Sequence, residues 1–114
     1  MKEVSVHELK ALIDRNADIQ LIDVREDFEH KVSNLGGILL PMSELESRAN
    51  EFGHDRDVVV YCRSGSRSGQ AIQWLEQKYG YNNLYNLSGG ILAWAEHIDN
   101  TFSIDWVIDE EWLS

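Results

Sequence analysis

The chain has little cysteine, little proline and little positive charge. It contains a single cysteine and a single proline, and no apolar stretch near the roughly 18 residues that cross a bilayer. One cysteine cannot close an internal disulfide, which points to a reducing, cytoplasmic setting. With only Pro41, and without repeats or low-complexity tracts, no segment reads as a linker. The opening MKEVSVHELK carries acid early and lacks the apolar core of a secretory signal. Only 10 Lys and Arg stand against 20 Asp and Glu, a formal net charge of −10. That balance argues against nucleic acid and anionic membrane as partners. It also makes each arginine informative, because an anion site must be built against the field of the whole chain. The four histidines, His7, His30, His54 and His97, are scattered without ligand spacing, and one thiol cannot form a thiolate cage. No metal or other cofactor is therefore called for, and these histidines are expected on the surface.

At 114 residues and 43% hydrophobic content, the chain supports one domain with one core. Short aliphatic runs alternate with helical patterns. Ile19–Ile22, Ile38–Leu40, Val58–Tyr61 and Leu84–Leu87 read as strands. Ser5 with Glu8 fits a capping box ahead of Leu9, Leu12 and Ile13, and Ser43 with Glu46 repeats that signal ahead of Leu45, Ala49 and Phe52. Glu26 and Glu29 open a short helix whose dipole suits acids. Ala71, Ile72, Leu75 and Tyr79 form one further helical face, and Ile91, Leu92, Ala95 and Ile98 another. Strands that are continuously apolar predict a parallel sheet covered by helices on both faces. Such sheets bind ligands beyond the carboxyl ends of their strands, where Cys62 falls.

Taken alone, a cysteine after VVVY could be a small hydrophobe finishing a central strand. The residues after it change the reading: VVVYCRSGSRSG (residues 58–69) adds two glycines, two arginines and an immediate helix. Such a loop gathers backbone N–H groups and a helix N-terminus around the sulfur. Those partial positive charges, with Arg63 and Arg67, favour an anionic, reactive sulfur.

CRSGSRSG, with LIDVRE (Leu21–Glu26) upstream and LSGGILAW (Leu87–Trp94) downstream, resembles a rhodanese domain of the single-domain sulfurtransferase type over roughly residues 3–97. The resemblance implies a three-layer α/β/α fold with a mainly parallel sheet of about five strands. It implies that Cys62 takes a sulfane sulfur from thiosulfate or another small anionic donor as a persulfide. The sulfur then passes to a thiol, to cyanide or to a sulfur-relay protein. By position, Arg63, Ser64, Gly65, Ser66 and Arg67 complete the substrate-binding loop. Asp23-Val24-Arg25 should reach the same sheet edge, as a salt bridge tying loops together, with Arg25 adding to the positive potential.

Two other classes share this loop. A non-enzymatic persulfide carrier or protein-binding module needs the same cysteine. A small phosphatase or arsenate reductase uses Cys-x5-Arg, whereas Arg67 here gives Cys-x4-Arg, a narrower cradle that suits one sulfur. The family's His-Ile and Gly-Ala positions are Asn34-Leu35 and Gly37-Ile38 in this chain. Gly89-Gly90 is expected to turn tightly into the last helix rather than cradle phosphate, and Trp74 and Trp94 to pack. The domain is expected over residues 1–98. The acidic, aromatic extension 99–114, nearly period two, is expected to pack on the domain or, through Trp106 and Trp112, on a partner.

Overall fold

A computed structural model describes residues 1–103. Five strands form one parallel sheet: β1 (Lys2–Val4), β2 (Ile19–Asp23), β3 (Ile38–Leu39), β4 (Asp57–Tyr61) and β5 (Leu84–Leu87), in the order β1-β5-β4-β2-β3. The helices are α1 (Val6–Asp14), α2 (Asp27–Val32), α3 (Ser66–Tyr79) and α4 (Gly90–His97). None is long and apolar enough to cross a membrane.

Both faces of β4 are buried, which is why its apolar run is unbroken. Val58, Val60 and Cys62 face a core shared with Ala71, Ile72 and Leu75 of α3, while Val59 and Tyr61 face one shared with α1 and α4. The fold is therefore the expected α/β/α sandwich, with the central strand delivering Cys62 to the carboxyl edge of the sheet.

Local signals held where the chain satisfies itself. At α1 the Ser5 hydroxyl accepts from the Glu8 amide at 3.0 Å, and the Ser5 amide donates to Glu8 Oε1 at 2.8 Å, closing the capping box. Trp94 is buried and Trp74 packs against the α3 core, as expected.

The helix expected after Ser43 is not formed. That segment makes two 3₁₀ turns, Met42–Glu44 and Ala49–Glu51. Its periodicity is real, since Leu45, Ala49 and Phe52 are all buried. Its carbonyls, however, are taken by side chains from elsewhere. The Tyr81 hydroxyl lies 3.0 and 2.8 Å from the carbonyl oxygens of Ala49 and Phe52, Gln20 donates to Glu51 at 2.8 Å, and Asn83 donates to Gly53 at 2.7 Å. Strand β1 was not foreseen, because a short polar-edged KEV acquires strand geometry only by pairing with β5. Of the 99–114 extension, Phe102 packs against the α1–α4 core and the Ser103 amide donates to Ser33 Oγ at 3.2 Å. Trp106 and Trp112 lie outside the described residues.

Candidate active site

Strand β4 ends at Tyr61 and α3 begins at Ser66, so the loop between them is four residues long. Helix α3 starts earlier than its apolar face suggested, inside the SGSRSG run. Gly65 makes this turn possible: at φ +105 it occupies backbone space that side-chain-bearing residues rarely adopt, and its amide turns back onto the sulfur. Three donor groups converge on Cys62 Sγ. They are the Gly65 amide at 3.1 Å, the Ser68 amide at 3.4 Å and the Ser68 hydroxyl at 3.3 Å. Ser68 sits in the first turn of α3, where backbone amides have no helical partner and are free to hold an anion. Cys62 itself is 0% exposed.

The loop is tied down from two sides. Asn86, from β5, donates from Nδ2 to the Gly65 carbonyl at 3.0 Å, which fixes its amide orientation and turns Oδ1 toward Ser68. The Ser68 hydroxyl gives its one proton to that oxygen at 2.5 Å. A lone pair of Ser68 Oγ then faces Sγ and accepts from a thiol, and the hydroxyl proton turns toward the sulfur when the sulfur is an anion. From the other side, the Ile91 and Leu92 amides of α4 donate to the carbonyls of Cys62 and Arg63 at 3.0 and 3.1 Å. Gly89-Gly90 thus makes the expected turn, and the α4 N-terminus is spent on the loop's own backbone.

The arginines divide. Arg63, next to Cys62 in the chain, is buried. Arg67 is turned to α2: its Nη1 and Nη2 donate to the two oxygens of Glu29 at 2.8 and 3.0 Å, a bidentate pair with a carboxylate only 1% exposed. Glu29 is therefore more than a dipole-matched acid at the start of α2. Its Oε1 also accepts from the Glu26 amide at 3.0 Å. Arg25 is paired as expected, donating to both oxygens of buried Asp23 at 2.9 and 2.8 Å and to the Ser33 carbonyl at 2.7 Å. His30 departs from the surface expectation: it is half-buried, with Nδ1 2.8 Å from Asp23 Oδ2. Among the described residues no hydrogen bond joins the Ser64 or Ser66 side chain to the sulfur.

Tyr61, one residue before the cysteine, locks the segment that departs from the family pattern. Its oxygen accepts from the Leu35 amide at 3.0 Å and donates to the Gly36 carbonyl at 3.2 Å, while Asn34 donates to the His30 carbonyl at 3.0 Å. Burial pushes the Tyr61 phenol well above its ordinary range, so it remains a neutral donor.

The Rhodanese-like domain model matches residues 5–97. The chain belongs to the rhodanese-like domain family. It is 41% identical over 98 residues to a sulfurtransferase of Allochromatium vinosum, covering 85% of this chain and 91% of that one. It is 30% identical to the putative sulfur carrier protein YrkF of Bacillus subtilis over 82% of this chain but only 50% of that protein. A rhodanese-related protein of Thermoplasma volcanium superposes with a TM-score of 0.74 at 29% identity, covering 86% of this chain and 94% of that one. This kinship supports sulfur transfer as the general chemistry.

Two residues that hold this arrangement are not singled out by the sequence: Asn86, which holds Ser68, and Glu29, which holds Arg67. Asn86 carried a usable signal, being a polar residue in the otherwise apolar strand Leu84–Leu87. Ser68→Ala keeps both amide donors but removes the hydroxyl and strands Asn86 Oδ1. It should slow sulfur uptake about tenfold and destabilise the fold by about 1–3 kcal/mol. Urea melts and the rate of sulfur loading check both, and an unchanged loading rate would reduce Ser68 to an amide donor.

Proposed function

We propose that this domain is a sulfurtransferase of the thiosulfate:cyanide type working through a persulfide on Cys62. The Cys62 sulfur attacks the sulfane sulfur of thiosulfate, the donor's S–S bond breaks, and sulfite leaves with the electron pair. An acceptor then attacks the outer sulfur: cyanide leaves as thiocyanate, a thiol leaves as a persulfide, and the Cys62 sulfur is restored. Covalent catalysis of this kind replaces one difficult transfer by two easier ones. The observation that carries the reading is the convergence of two amides and one hydroxyl on Cys62 Sγ at the carboxyl edge of the sheet. The two amides serve the anionic sulfur in both half-reactions without reorganising, and the Ser68 hydroxyl joins them by turning its proton to the anion. Pairing of Arg67 with Glu29 favours sulfur over phosphoryl transfer, since that guanidinium already holds a carboxylate in the bidentate manner that a phosphoryl group would require. Likeness to a protein named as a sulfur carrier supports a second use of the same persulfide, delivery to a relay partner.

Intact-mass measurement tests the reading. Freshly reduced protein treated with thiosulfate should gain one sulfur, about 32 Da, and cyanide should remove it as thiocyanate. Reduced protein that gains no mass from thiosulfate or from a glutathione persulfide donor would end the proposal. A persulfide that forms but yields only to a protein thiol, and not to cyanide, would select the relay.

A further inference from the structure

A dianion such as thiosulfate is best met by more than one uncompensated cation, and two of the arginines nearest the cysteine loop are compensated. Arg67 stands one residue before Ser68, whose amide donates to Sγ, yet its guanidinium is clamped by both oxygens of Glu29. Glu29 is itself held in place by the Glu26 amide and is 1% exposed, against 14% for Arg67, so the pair is a fixed feature rather than a surface contact. Arg25 is matched in the same way by Asp23. Seen from the sulfur, each pair is a dipole, whose potential fades faster with distance than that of a charge. The net charge of −10 adds a further bias against dianions approaching from solution.

Resting on the sulfurtransferase reading, we propose that Glu29 is a specificity-determining residue: by neutralising Arg67 it tunes the site to sulfur donors carrying one negative charge at the reacting group, the class of organic persulfides and thiosulfonates, over dianionic thiosulfate. Glu29 acts through Arg67 and touches no donor. Chemistry at Cys62 is the same for both donor classes. With methanethiosulfonate, the Cys62 sulfur attacks the terminal sulfur, the donor's S–S bond breaks, and methanesulfinate leaves with the electron pair where thiosulfate would release sulfite.

The test compares thiosulfate with methanethiosulfonate, which offers a similar sulfane sulfur at one charge fewer. Loading of Cys62 is followed by intact mass, and each kcat/KM is divided by that donor's uncatalysed rate with a small thiol. Wild type should accelerate methanethiosulfonate more than thiosulfate. Glu29→Gln keeps the shape and an acceptor for Arg67 but releases its charge. It should raise the thiosulfate-to-methanethiosulfonate ratio about tenfold and steepen the salt dependence of thiosulfate use. Adding Arg67→Ala to Glu29→Gln should cancel that gain, and whatever Arg63 contributes is common to all the proteins compared. A wild type that favours thiosulfate, or a folded Glu29→Gln whose ratio moves less than twofold, would overturn the proposal. Should Glu29→Gln fail to fold, Arg67→Met supplies the converse: it leaves the carboxylate alone and should lower the ratio, and an unchanged ratio overturns the proposal equally. If neither donor loads Cys62, the sulfurtransferase reading itself has failed. If both load with one ratio throughout, only the role of Glu29 has.

Discussion

Cys62→Ser should give a folded protein that takes up no sulfur. The hydroxyl inherits the position toward which the Gly65 amide and the Ser68 amide and hydroxyl point, at 3.1, 3.4 and 3.3 Å from the present sulfur. A buried serine is therefore hydrogen-bonded, and the change should cost no more than about 2 kcal/mol of stability. The chemistry is a different matter. An oxygen nucleophile forms no persulfide, and this chain has no second cysteine to substitute for the first. Turnover of thiosulfate with cyanide should fall by at least about 10³-fold, and thiosulfate treatment should leave the intact mass unchanged. Circular dichroism melts of both proteins establish that the loss is chemical. A folded serine variant that still releases thiocyanate would place the reaction elsewhere in the molecule and remove the basis for the proposed mechanism.

Gly90→Ala should have the largest effect on stability of any single methyl added to the chain's active-site elements. Gly90 has φ +61, and a Cβ built on it falls 2.6 Å from the Cys62 carbonyl oxygen and closer still to that of Arg63. Both obstacles are backbone, and both are held by the α4 amides that the turn at Gly90 delivers. Overpacking contributes about 1–3 kcal/mol and left-handed backbone for a side-chain-bearing residue about 1–2 kcal/mol. A fall in melting temperature of about 10 °C or more is expected. Gly80→Ala is the internal control: φ is +70 there too, but nothing lies within 4 Å of the added carbon. Only the backbone cost, roughly 1 kcal/mol, should appear. Equal losses in the two variants would mean that α4 yields, and the loop would then be less firmly seated than its hydrogen bonds imply. Sulfur loading should fall in Gly90→Ala even below its melting temperature and be untouched in Gly80→Ala.

Legibility in the sequence divides physically between local and distant partners. The Ser5–Glu8 box closes over three residues, and the apolar run of β4 reports burial on both of its own faces, so both are visible in the order of residues. The cysteine loop is legible for the same reason: sulfur, Gly65 and Ser68 lie within six positions. The partner of Arg67 is not legible, because its carboxylate lies 38 residues away on α2, where Glu29 reads as an ordinary helix-opening acid. The segment 42–52 kept its buried periodicity but not its helix, and Gln20 and Tyr81 arrive from distant parts of the chain to take the carbonyls of Glu51, Ala49 and Phe52. No pattern in a stretch of eleven residues records which remote donor will compete for its backbone.

The strand order carries a consequence for how the molecule behaves in company. Among the described residues, the two outer strands are the shortest: three residues in β1 and two in β3. The run most able to template fibre formation, Val58–Val60, lies inside, flanked by β2 and β5. Lys2 and Glu3 place opposite charges on one border. Unpaired backbone is thus offered to a neighbouring copy only in lengths too short to hold it. Edge-to-edge aggregation through this sheet requires a molecule first to open between β4 and one of its neighbours, so its rate should track unfolding rather than collision.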